Sequence, residues 1–150
     1  MKYLLDTNLC IDALRKRGSG ALRRAFQVVD PNEIVLCSIV VAELLSGCYH
    51  SKERVRNLAD VRDLRRLFRS LPFDDGAAEH WAEADAFLAA QGTTIGANDL
   101  LIASIALANG LTVVTHNTAH FTQIANLPFE DWQVLYANFG PTAPPTAGQP

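Results

Sequence analysis

The sequence has few of the features that stabilise secreted proteins or anchor membrane proteins. Its three cysteines, Cys10, Cys37 and Cys48, are odd in number and form no CxxC pair, and a chain of this size buries a core without disulfides. No apolar run reaches the length of a bilayer crossing, and residues 1–5 are too short for the apolar region of a signal peptide. We therefore expect reduced thiols in a soluble, cytoplasmic protein.

Lysine and arginine are absent from the second half of the chain. Residues 2–69 hold all 13 Lys and Arg with eight acidic residues, a balance of +5. Residues 70–150 hold the other eight acidic residues, a balance of −8. The net charge of −3 alone argues against a nucleic-acid partner. The basic half nevertheless has the charge to attract an anionic polymer.

The spacing of apolar residues predicts strands that alternate with helices. This alternation is typical of an α/β fold with a small, mainly parallel sheet covered on both faces, as one domain over residues 1–139. Residues 140–150 hold four of the seven prolines and are predicted to be a disordered tail. Ser38 is predicted to cap one helix, and Asn98 or Asp99 another. Strands are predicted at residues 2–5, 34–37, 112–115 and, more weakly, 133–136, and helices at residues 9–14, 21–29, 38–49, 52–69, 75–91 and 100–108.

Three acidic residues stand where a carboxylate is unfavourable. Asp6 ends a buried strand, Glu43 lies inside an apolar helix, and Asp99 opens the most apolar helix of the chain. Ligands of an open parallel sheet bind beyond the carboxyl ends of its strands, so these residues are expected to meet there, together with Asn117. Several carboxylates with amide oxygens suit Mg²⁺ or Mn²⁺. Glu43, slightly further from such an ion, would orient or deprotonate a water.

Simpler roles remain open for each acid. Asp6 and Asp99 both stand where a carboxylate caps a helix. Glu43 is harder to explain in this way, and its alternative is a salt bridge to an Arg at the edge of the core.

Four segments together resemble the PIN-domain nucleases, in particular the VapC toxins of bacterial toxin–antitoxin pairs, over about residues 2–136. The resemblance implies a PIN-like three-layer α/β/α fold and an endoribonuclease that requires Mg²⁺ or Mn²⁺. It also implies that Asp6 and Asp99 are metal ligands, that Glu43 completes the acidic triad, and that Thr7, Asn8 and Asn117 support them. The segments are YLLDTN at residues 3–8, VAEL at 41–44, IGANDLLIA at 95–103 and VTHNTAHF at 114–121.

The resemblance has further implications for biology. It implies a toxin that cleaves structured cellular RNA of the tRNA or rRNA class and so inhibits translation and growth in the bacterial cytoplasm. It implies a homodimer and a VapB-like antitoxin that covers the site. The resulting toxin–antitoxin complex would bind operator DNA through the antitoxin.

One position departs from the family pattern. Many members carry an acidic residue just before the Phe of the fourth segment, where this chain has His120. This change is compatible with a single weakly held ion, with a phosphate contact, or with an ordinary surface histidine. It is the support for an alternative function, a non-catalytic PIN-like module that binds RNA or protein. A phosphatase is a third alternative, although that chemistry needs a second Asp where Asn8 stands.

Arginines are the candidates for contact with RNA. Arg15, Arg17, Arg62 and Arg65 are predicted to contact phosphates along a groove toward the acidic site. Their alternatives are a solvated helix face or a docking surface for the antitoxin.

Overall fold

Five parallel strands form one sheet, and eight helices surround it, in residues 1–15 and 20–138, the part of the chain that this computed structural model describes. The strands are β1 (Tyr3–Leu5), β2 (Ile34–Cys37), β3 (Arg69–Leu71), β4 (Thr112–Val114) and β5 (Phe129–Glu130). The helices are α1 (Thr7–Leu14), α2 (Gly20–Val28), α3 (Ser38–Tyr49), α4 (Arg54–Leu67), α5 (Asp75–Ala90), α6 (Ala97–Ala108), α7 (Thr118–Phe121) and α8 (Trp132–Leu135).

The sheet has the strand order β3-β2-β1-β4-β5, with β1 at its centre. The chain first moves from β1 to β2 and β3 on one side, then crosses over to β4 and β5 on the other. In the register of the central strands Leu5 pairs with Val114. The strand order therefore reverses beside β1, and a ligand crevice is expected at the carboxyl ends of β1 and β4.

The strands β1 and β2, which lie at the centre of the sheet or next to it, consist mainly of apolar residues. Every residue of β1 and β2 is buried, which requires cover on both faces of the sheet. The helix α6 is almost as apolar and buries Ile102, Ala103 and Ile105. The predicted α/β class with a parallel sheet is confirmed, as is its cover of helices.

Two predictions about short elements are wrong. Residues 133–136 do not form a strand, because they lie in and just after α8, whose first turn is capped by the carboxylate of Asp131. The strand of this region is β5, two residues of intermediate burial just before that cap. The strand β3 is absent from the prediction, because two of its three residues are exposed and it carries no apolar run.

Two predicted helix caps also differ. Cys37 occupies the N-cap position of α3, and the hydroxyl of Ser38 instead accepts a hydrogen bond from the backbone N–H of Phe73 at 3.3 Å. Gly96 occupies the N-cap position of α6, so that Asn98 and Asp99 lie within the first turn. Both polar side chains are thereby free for contacts with other elements.

Some predictions concern residues beyond the described part of the chain. Arg17, the tail at residues 140–150 and the domain boundary at residue 139 all lie outside residues 1–15 and 20–138. None of the helices within those two ranges has both the length and the apolar character that a bilayer crossing requires.

Candidate active site

Asp6 occupies the carboxyl end of the central strand and is 2% exposed. Its Oδ1 atom accepts a hydrogen bond from the backbone N–H of Thr7 at 2.7 Å, which caps α1. Its Oδ2 atom accepts one from the hydroxyl of Thr115 at 2.8 Å. Asp6 therefore does cap a helix, as the simpler alternative held, but a cap alone does not explain a fully buried carboxylate fixed at both oxygens.

Glu43 is half-buried in the second turn of α3 and is fixed by neutral donors. The hydroxyl of Thr7 donates to its Oε2 atom, and the side-chain amide of Asn98 donates to its Oε1 atom at 2.7 Å. These contacts join α3 to the starts of α1 and α6. Among the described residues no salt bridge forms at Glu43, so no Lys, Arg or His side chain of those residues is paired with its carboxylate.

Asp99 lies in the first turn of α6, where the helix dipole favours a negative charge. Its Oδ2 atom accepts hydrogen bonds from Nδ1 of His120 at 2.5 Å and from the amide of Asn117 at 3.3 Å. A Cβ atom on Gly96 would lie only 3.0 Å from the same Oδ2 atom. The glycine therefore leaves the space in which the carboxylate sits.

Hydrogen bonds connect the three acids into one cluster at the carboxyl ends of β1 and β4. The hydroxyl of Thr115 donates to Asp6 and accepts the backbone N–H of Asn117 at 2.9 Å, and Asn117 in turn contacts Asp99. Glu43 joins through Thr7, the residue that follows Asp6. The structure thus brings together Asp6, Glu43, Asp99, Thr7, Asn117 and His120. Of these, the topology predicts that the three acids and Asn117 meet.

The electrostatics of the cluster favour a bound cation. Burial raises the pKa of Asp6, and the negative charges of Asp99 and Glu43 raise it further, whereas the hydrogen bonds from Thr115 and Thr7 lower it. A divalent cation among these carboxylates would remove the repulsion that the cluster otherwise carries.

The donor set suits a lightly held hard cation. Within the two described ranges no three His, Cys, Asp or Glu side chains form a group that could hold a metal ion by themselves. Mg²⁺ is commonly bound by one or two carboxylates and keeps several waters, and carboxylates such as those of Asp6 and Asp99 are donors of this kind. The side-chain amide of Asn117 fixes one of these carboxylates. The residues present therefore fit one Mg²⁺ or Mn²⁺ ion.

Other predicted site residues lie outside the hydrogen-bonded cluster of acids. Asn8 is exposed and makes no hydrogen bond to the described residues of the cluster. Arg15 lines a groove of about 560 Å³ that opens beside Glu43 between α1, α3 and α4. Arg62 and Arg65 are exposed on α4 and do not line that groove, so their contact with RNA stays a prediction.

Two residues of the cluster were missed from the sequence, Asn98 and Thr115. Asn98 was considered only as a helix cap, and its contact with Glu43 spans 55 positions. The signal for Thr115 was its place as the last residue of a predicted strand; in the structure it directly follows β4, as Asp6 follows β1.

Thiol chemistry has no part in the cluster. Burial raises the pKa of the Cys37 thiol to about 11, and burial also raises the pKa of Cys10. All three cysteines are buried and free. Neither Cys10 nor Cys37 therefore supplies a thiolate nucleophile near neutral pH.

The chain is similar in sequence and in fold to known proteins. Residues 3–127 match the PIN domain family. The chain is 33% identical to the tRNA(fMet)-specific endonuclease VapC of Shigella flexneri, with 88% of this chain and 98% of that protein covered. It is 35% identical to ribonuclease VapC2 of Rickettsia felis, with the same coverage. Among solved structures it is similar to VapBC2 from Rickettsia felis bound to a promoter DNA fragment, with a TM-score of 0.82, 34% identity, and 88% of this chain and 99% of that chain covered.

Proposed function

Because the chain belongs to the PIN-domain family, among the VapC ribonuclease toxins of toxin–antitoxin systems, we propose that it is an endoribonuclease dependent on Mg²⁺ or Mn²⁺. The observation that carries the proposal is the cluster itself. Asp6, Glu43 and Asp99 arise from three distant segments, and a continuous set of hydrogen bonds holds them at one edge of the sheet.

The residues of the cluster divide into two roles. Asp6 and Asp99 would hold the cation, which when bound supplies charge stabilisation for the phosphate group that is attacked. Thr115, Asn117 and His120 fix the orientation of these carboxylates. Such preorganisation matters because a misplacement of about 1 Å lowers the rate of a reaction on the order of 100-fold.

Glu43 serves as the general base in this proposal. Thr7 and Asn98 fix both of its oxygens without neutralising its charge, so the carboxylate can orient a water and accept its proton. The products would be two RNA fragments separated at one hydrolysed phosphodiester bond.

The proposed substrate is structured cellular RNA of the tRNA or rRNA class, whose cleavage would inhibit translation and growth. The relative from Shigella flexneri is named for its action on tRNA(fMet), which makes a tRNA the first substrate to try. The proposed partner is a VapB-like antitoxin that covers the site and carries the complex to operator DNA. The similarity to VapBC2 from Rickettsia felis, which is bound to a promoter DNA fragment, supports this partner. We also propose that the toxin is a homodimer.

A cleavage assay on purified protein tests the proposed activity. We expect the chain to cut a labelled tRNA pool in the presence of Mg²⁺ and to stop when EDTA is added. Asp99→Asn should lose this cleavage, whereas Asp85→Asn, on the exposed face of α5, should retain it. Cleavage at the normal rate by Asp99→Asn, or in EDTA, would contradict the assignment.

One observation favours the alternative of a non-catalytic RNA- or protein-binding module. The ring of His120 already hydrogen-bonds Oδ2 of Asp99, so one oxygen of a proposed metal ligand is partly occupied. This alternative predicts RNA binding without cleavage, at an affinity that EDTA does not change. The same assay, read with and without EDTA, separates the two functions.

A further inference from the structure

A second histidine lies beside the cluster and takes no part in it. His116 stands between Thr115, which binds Asp6, and Asn117, which binds Asp99. Its own ring instead bridges the carboxyl ends of β4 and β5, where Nδ1 donates to Oδ2 of Asp131 at 2.8 Å. The position places an imidazole at the rim of the proposed site.

Asp131 holds this ring in one orientation. Its Oδ1 atom accepts the backbone N–H groups of Gln133 at 2.9 Å and Val134 at 3.3 Å, and its side chain is 14% exposed. A carboxylate fixed in this way keeps the proton of His116 on Nδ1. The Nε2 atom is then left without a partner among the described residues, on a side chain that is 58% exposed.

The Nε2 atom of His116 lies on a side of the cluster that is built by a segment without Lys or Arg. No Lys or Arg occurs in residues 70–150, the segment that supplies β4, β5 and α6 to α8. From the first half of the chain, Arg24 reaches this region, but it donates to the backbone carbonyls of Tyr136 and Ala137 at the far end of α8. The segment that builds this side of the cluster therefore contributes no Lys or Arg side chain to it, and its cationic candidates are histidines.

RNA crossing the carboxyl ends of the strands has phosphates on both sides of the bond that is cut. On the β2 side Arg15 and Arg56 line the groove beside Glu43. On the β4–β5 side Nδ1 of His120 is held by Asp99, and Nε2 of His116 is exposed and has no partner among the described residues. We propose that Nε2 of His116 binds a backbone phosphate of the RNA substrate, with Asp131 as its positioning residue. This inference rests on the proposed ribonuclease function.

Two substitutions separate phosphate binding from a purely structural link. In His116→Asn the amide nitrogen replaces Nδ1 and keeps the hydrogen bond to Asp131, but nothing replaces Nε2. In His116→Gln the longer amide reaches the position of Nε2 and gives up the bond to Asp131. His80→Asn, at a histidine of α5 whose side chain is 41% exposed, is the matched control.

The measurements are steady-state cleavage of a tRNA pool, RNA affinity as a function of salt in the Asp99→Asn background, and thermal melting of each variant. For His116→Asn we expect KM to rise about tenfold, the loss of one hydrogen bond to a charged group, with little change in kcat. Its slope of log Kd against log salt should fall by about 0.7, the value for one phosphate contact on single-stranded RNA. His116→Gln should recover part of the affinity, and His80→Asn should match the unmodified protein.

The opposite pattern would overturn the inference. If His116→Asn cleaves with an unchanged KM while His116→Gln melts at a lower temperature, the histidine is only a link between β4 and β5. An equal rise in KM for His80→Asn would also overturn it, since the effect would then be unspecific. If the unmodified protein neither cleaves nor binds RNA, the proposed function itself fails, and the inference fails with it.

Discussion

Gly96→Ala is the substitution that tests the placement of Asp99 without changing its chemistry. Gly96 has φ −58° and ψ 133°, which an alanine adopts without strain. The new Cβ would lie 3.0 Å from Oδ2 and 3.4 Å from Cγ of Asp99. Restoring ordinary contact requires the carboxylate to move by about 0.4 Å. Since a misplacement of about 1 Å lowers rates on the order of 100-fold, we expect kcat to fall roughly sixfold.

The free energy of unfolding of Gly96→Ala should rise slightly or hardly change, although its kcat falls. Replacing glycine by alanine at a compatible backbone conformation usually stabilises a protein by about 0.4–1 kcal/mol, because the unfolded chain loses freedom. The contact with Asp99 offsets part of this gain. The variant is therefore expected to melt near the temperature of the unmodified protein while it cleaves RNA more slowly.

Gly76→Ala is the matched control for this experiment. Gly76 also lies at the start of a helix, and its added Cβ would meet a carboxylate oxygen, Oδ1 of Asp74, at an ordinary 3.5 Å. We expect its kcat on a tRNA pool to be unchanged. An unchanged kcat for Gly96→Ala, or an equal loss for Gly76→Ala, would refute the reasoning about Asp99.

Three further substitutions probe the rest of the cluster. Asp6→Asn should raise the free energy of unfolding at pH 7 by about 1 kcal/mol while cleavage is lost. Burial raises the pKa of Asp6 in the folded protein, so its ionised form weakens folding above that pKa. The difference in the free energy of unfolding between Asp6→Asn and the unmodified protein should therefore shrink in urea titrations as the pH is lowered toward 4. Glu43→Gln should keep Mn²⁺ binding and lose about 10²–10⁴-fold in kcat, and retained activity would exclude a general base there. Asn98→Ala should lower kcat less than Glu43→Gln, since Thr7 still holds the base; an equal loss in rapid-quench assays would give Asn98 a larger role.

The sequence was sufficient for the main elements and for the acids of the cluster. The apolar runs of β1 and β2 are unambiguous, because both strands are buried on both faces. Once those strands are parallel, residues that follow them must share an edge of the sheet. Asp6 and the start of the helix that carries Glu43 were therefore predictable in place as well as in type.

The remaining features depend on contacts that no local pattern contains. β3 is an edge strand with two exposed residues, and α8 begins where it does because of the single carboxylate of Asp131. The contact of Asn98 with Glu43 exists because α3 and α6 meet at the site, which is a property of the tertiary structure. The sequence leaves the role of His120 open between an effect on the metal ion, a phosphate contact and an ordinary surface position, because the contact of its Nδ1 with Asp99 at 2.5 Å is a property of the tertiary structure.

The proposed activity depends on one divalent cation held by Asp6 and Asp99 together. Titration calorimetry with Mn²⁺, followed by electron paramagnetic resonance of the bound ion, tests it without any substrate. We expect one ion per chain for the unmodified protein and for Glu43→Gln, with binding lost in Asp99→Asn. Absence of Mn²⁺ binding by the unmodified protein, or equal binding by Asp99→Asn, would contradict it.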